Sequence, residues 1–118
     1  MEKTIVISGT ELRLKTNGAT PMRYKNQFKK DYLAEIVKLM NMFSILKIEN
    51  LSDIDPINLE KLDMTPVYNI VWVYAKTADD SIPDPMTWLS SFDEFPILDV
   101  FVQIADLAAN SVKTSKKK

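Results

Sequence analysis

Proline placement sets the tightest limit on how this chain folds. Six prolines, Pro21, Pro56, Pro66, Pro83, Pro85 and Pro96, are spread over 118 residues, and each lacks an amide N–H and clashes with the preceding helical turn. One long helix is excluded. Three of them follow a residue type that favours helix starts, as Thr20-Pro21, Thr65-Pro66 and Asp84-Pro85, so each pair predicts a helix whose first turn tolerates the missing donor.

The first fifteen residues read differently. Lys3 to Ile7 and Glu11 to Lys15 flank Ser8-Gly9-Thr10, and Leu12 and Leu14 alternate with charged neighbours. Period two around a glycine-containing turn predicts a β-hairpin with one buried face. After Asn17-Gly18, a helix is expected from Thr20-Pro21. Its apolar series is Met22, Tyr24, Phe28, Tyr32, Leu33, Ile36, Val37, Met40 and Phe43, with Glu35 and several lysines off the stripe and a break near Asp31.

Asn50 to Pro56 reads as a loop, with a helical turn at Ile57 to Leu62. The helix from Thr65-Pro66 carries Val67, Ile70, Val71, Trp72, Val73 and Tyr74, an apolar arc so broad that it is expected to lie buried at the centre. Ala78 to Pro85 is a connector, and a short helix with Met86, Trp88 and Leu89 follows. A last helix is expected from about Asp93-Glu94 to Val112, with Pro96 in its first turn, or from a capping box at Ser91 and Glu94. The fold class is thus α+β: an N-terminal hairpin packed on four or five helices, one domain over residues 1–112, and a flexible basic tail over 113–118.

The chain has no cysteine and no histidine, and only two glycines. Disulfides, thiolate chemistry, the commonest general base and the glycine-rich phosphate loops are excluded with them. Asp79, Asp80, Asp84, Asp93 and Glu94 cluster in sequence, but capping roles beside prolines and at helix starts account for most of them. No catalytic residue, metal ligand or cofactor is expected. No apolar run is long enough for a membrane span or a signal sequence. Residues 1–30 carry seven Lys/Arg against two Glu, whereas residues 31–112 carry four Lys against fourteen Asp/Glu. That acidic remainder repels phosphates and argues against nucleic acid.

Binding to other proteins is what remains. Along the last helix Ile97, Phe101, Ile104 and Ala108 form one apolar stripe, Leu98, Val102 and Ala105 a second beside it, and Asp99, Gln103, Asp106 and Asn110 a polar seam. One stripe suffices for a core contact. The surplus names Leu98, Phe101, Val102 and Ala105 as candidate partner-binding residues, whether the partner is another protein or a second copy, unless the hairpin covers them.

Three segments carry a family likeness: Ala19-Thr-Pro-Met-Arg-Tyr-Lys-Asn-Gln-Phe-Lys-Lys-Asp31, Tyr68-Asn-Ile-Val-Trp-Val-Tyr-Ala-Lys-Thr-Ala-Asp79, and Ser81-Ile-Pro-Asp-Pro-Met-Thr-Trp-Leu-Ser-Ser-Phe-Asp-Glu-Phe-Pro-Ile97. They resemble the tail assembly chaperones of long-tailed bacteriophages and prophages of Gram-positive bacteria, over nearly all the chain except residues 44–64. The sequence departs from that pattern at Lys29, where a small residue such as Gly is expected at a helix turn. The resemblance implies a non-enzymatic factor of the host cytoplasm, absent from the finished virion, that binds the tape measure protein. It also implies recruitment of tail tube protein through a longer, frameshifted form, and an adenine-rich slippery run could encode Lys116-Lys-Lys118. The alternatives are a structural tail or head-completion protein retained in the virion, and a small regulatory module binding nucleic acid through residues 13–30.

Overall fold

The computed structural model describes residues 1–46 and 63–113. It has the expected α+β architecture: strands β1 (Glu2–Ile7) and β2 (Thr10–Lys15) form an antiparallel hairpin, joined by α1 (Thr20–Phe28), α2 (Tyr32–Leu46), α3 (Thr65–Ala78), α4 (Pro85–Ser90) and α5 (Ile97–Lys113). The loop expected around Asn50 to Pro56, the helical turn at Ile57 to Leu62 and tail residues 114–118 lie outside the described residues.

The hairpin turns through Ser8 and Gly9, both at positive φ (50° and 81°). That pairing of left-handed residues matches the twist of the flanking strands. Ile5, Ile7 and Leu14 are buried on one face. Helix α3 is the centre of the molecule, packing against β2, α1, α2 and α5. Pro66, Val67 and every residue from Ile70 to Ala75 are buried. The indole of Trp72 meets Phe28 edge-on at 5.6 Å and donates to the Pro83 carbonyl at 2.8 Å.

The proline-based starts hold to within one residue, but the threonines do not cap. Thr20 and Thr65 are the first helical residues; Thr20 Oγ1 accepts from the Asn17 amide, and the Thr65 amide donates to Asp63. Asp84 does cap α4, its carboxylate accepting from the Thr87 amide and hydroxyl at 3.2 and 2.6 Å. The last helix starts later than expected. Phe95 precedes Pro96 and is biased away from helical geometry, and residues 92–95 are drawn into an aromatic cluster of Trp88, Phe92, Phe95 and Tyr68 with centroids 5.2–6.1 Å apart. Ser91 closes α4 by donating to the Trp88 carbonyl, so the capping box with Glu94 does not form.

The face of α2 is rotated from the expected one. Tyr32, Glu35, Ile36, Leu39 and Met42 point inward, while Leu33 and Val37 are exposed. Glu35 was expected off the stripe. It is 2% exposed and buried because it is partnered: Tyr24 donates its hydroxyl at 2.8 Å and Lys38 lies at 3.2 Å. Nearby, the hydroxyl of Tyr32 bonds those of Tyr74 (2.7 Å) and Ser111 (2.8 Å), tying α2 to α3 and α5. Burial raises the pKa of all three tyrosines, Tyr24, Tyr32 and Tyr74.

Candidate functional site

Helix α5 is held to the hairpin through the middle of its polar seam. The carboxamide of Gln103 accepts from the Val6 amide (3.3 Å) and donates to the Val6 carbonyl (3.2 Å). A side-chain amide thus stands where a neighbouring strand would pair with the edge of β1, which blunts that edge. Gln103 also donates to Asp99 at 3.0 Å. Lys3 reaches across to Asp106 at 2.8 Å and to the Gln103 carbonyl. That ammonium contact holds the Asp106 carboxyl below the ordinary carboxylate range. Ser8 donates to the Glu94 carbonyl just before the helix.

The hairpin therefore engages the polar seam of α5 and leaves Leu98 and Val102 of its second apolar stripe open. Val100, Phe101, Ile104, Ala105, Leu107 and Ala108 pack inward. Of the four candidate residues, Phe101 (0% exposed) and Ala105 (5%) belong to the core. Their place among the partner contacts is corrected accordingly, because the chain's own packing closes them off from solvent. Leu98 (38%) and Val102 (62%), one turn apart, face solvent. The structure separates the four into an inner and an outer pair.

The same inversion recurs on α2, where Glu35 is spent inside and Leu33 and Val37 point out. Sequence reasoning placed Leu33 and Val37 in the core stripe; no local signal distinguishes them, because what buries Glu35 is the distant hydroxyl of Tyr24.

The three segments quoted above for their family likeness meet at a second place, which the sequence did not single out. A groove of about 600 Å³ runs between α1, the C-terminal half of α3 and the connector before α4. All ten residues lining it come from those segments.

Two of the acidic residues before α4 are occupied in turns. Asp79 accepts from the amide and hydroxyl of Ser81, and Asp84 from Thr87, which lowers both carboxyl pKa values. Among the described residues, no group of three or more potential metal ligands converges, and no helix is long and apolar enough to cross a membrane. No family model, curated protein or solved structure matches the chain.

Proposed function

We propose that this chain is a non-enzymatic assembly factor of the phage tail assembly chaperone type, acting in the host cytoplasm by holding an apolar helical segment of the tape measure protein. The observation that carries the reading is the inversion on α5. Its polar residues Gln103 and Asp106 are engaged by the chain's own hairpin, while Leu98 and Val102 face water. An apolar pair one turn apart on a helix suits helix-in-groove or helix-on-helix docking.

The wider charge pattern fits the same role. Residues 31–112 carry a large acidic excess, which keeps a carrier soluble while an apolar client is attached. Recruitment of tail tube protein through an extended form is the second part of the proposal and rests on the family resemblance alone.

Co-expression tests the reading. The wild-type chain should keep the tape measure protein soluble and co-purify with it, and the Leu98→Glu/Val102→Glu variant should lose both while keeping its helical circular dichroism. If the folded double variant still rescues the tape measure protein, the docking surface lies elsewhere; if purified virions contain the chain in stoichiometric amount by mass spectrometry, it is a structural component instead.

A further inference from the structure

The groove between α1 and the connector holds a guanidinium that the fold engages only weakly. Its connector wall is tied down by Trp72, through the Pro83 carbonyl, and by Lys76, whose ammonium donates to the carbonyls of Asp80 (2.7 Å) and Ile82 (2.8 Å). Lys76 thereby orders the wall through neutral acceptors, and its charge also acts on the nearby Asp79 carboxylate. Across the groove stands Arg23 on α1. Among the described residues its ion pair is a 3.7 Å contact with Asp80, whose side chain is 87% exposed, a geometry that contributes little. Its Nε is sealed from solvent with no hydrogen-bond acceptor, a desolvation cost without compensation. Asp84, also on the rim, already has its carboxylate committed to Thr87.

We infer that this groove is a docking site for an acidic peptide segment of a protein partner. A Glu or Asp carboxylate meets the outer edge of the Arg23 guanidinium, which the fold leaves 35% exposed at the side-chain level, in the two-pronged geometry that suits arginine. A neighbouring aliphatic side chain lies on Ile82 and Pro83. Asn26 and Gln27, three and four residues after Arg23 on the same face of α1, supply carboxamides for the peptide backbone. The inference is independent of the α5 reading: the two surfaces involve different residues, and either can fail alone.

The probe is a capped peptide alternating Glu and Leu, titrated into the ¹⁵N-labelled full chain. The Trp72 indole, the Arg23 Nε–H and the side-chain amides of Asn26 and Gln27 should shift together and saturate. Replacing Glu by Gln in the peptide, or Arg23→Gln in the protein, should weaken binding by roughly tenfold or more. Asn26→Asp leaves Arg23 in place, adds a like charge to the wall, and should weaken binding at least about threefold; it keeps the test decisive if Arg23→Gln does not fold. Shifts that stay linear, shifts at another surface, or equal binding by a folded Arg23→Gln or Asn26→Asp variant would overturn the proposal. So would an equal response to sodium acetate at the same carboxylate concentration, which would mark a simple anion contact.

Discussion

Helices α3 and α5 both carry broad apolar arcs in sequence, yet they end in different situations. Around α3, the hairpin, α1, α2 and α5 all pack, burying every residue from Ile70 to Ala75, and even the indole N–H of Trp72 is satisfied internally. Around α5, the hairpin closes on the polar seam, because the free edge of β1 needs amide partners and Gln103 supplies them. Leu98 and Val102, beside that seam, are left outside. Apolar width alone therefore does not say whether a face is core; what decides it is which neighbour the polar residues of the same helix attract.

The sharpest way to break this comparison is to truncate the enclosed helix. Trp72→Ala should cost about 3–5 kcal/mol, measured by denaturant unfolding, whereas truncating Val102 to Ala should change stability by less than about 0.5 kcal/mol. Comparable losses at the two positions would erase the distinction between the helices.

High pH probes the joint between them. Tyr24, Tyr32 and Tyr74 have pKa values raised by burial. Such groups give their full stabilising effect below the unfolded tyrosine pKa of about 10, and that effect is lost as pH rises from there toward the folded values. Tyrosinate absorbance from these three should therefore appear only with loss of near-ultraviolet circular dichroism above about pH 10. Ionisation of all three in a still-folded protein would show that the hydroxyl chain from Tyr74 through Tyr32 to Ser111 is open to solvent.

A smaller effect reports on the hairpin side of α5. Gln103→Ala removes both bonds to Val6 and should cost about 1 kcal/mol, with faster amide exchange at Val6. Stability and exchange at wild-type levels would mean that the edge of β1 does not depend on this side chain.

The smallest expected change is a gain. Lys29 ends α1 at φ 61°, in the left-handed region, with its amide bonded to the Lys25 carbonyl. That is a glycine geometry. Lys29→Gly should stabilise the chain by about 0.5–1 kcal/mol, a gain that an unchanged or lower melting temperature would refute.

Local stereochemistry was the legible part of this fold. Prolines placed three helix starts within a residue, and Ser8-Gly9 placed the hairpin turn, because both act through their own backbone. Orientation was less legible. Glu35 reads as a solvent residue until Tyr24 is known to stand over it, and Ala105 shares the stripe of Leu98 and Val102 in sequence yet is buried where they are exposed. The start of α5 was misplaced because an aromatic cluster, formed by residues as distant as Tyr68, competes with the helix. The groove was illegible for the same reason: Arg23, Lys76 and Pro83 lie in separate segments and meet only in the folded chain.

The central claim is that the outer face of α5 is not part of the chain's own core, and the unfolding free energy of Leu98→Glu/Val102→Glu tests it most directly. With Leu98 38% and Val102 62% exposed, the double variant should remain within about 1 kcal/mol of wild type, with unchanged circular dichroism. A loss of more than about 3 kcal/mol would mean that the chain itself covers this stripe, and would contradict the account.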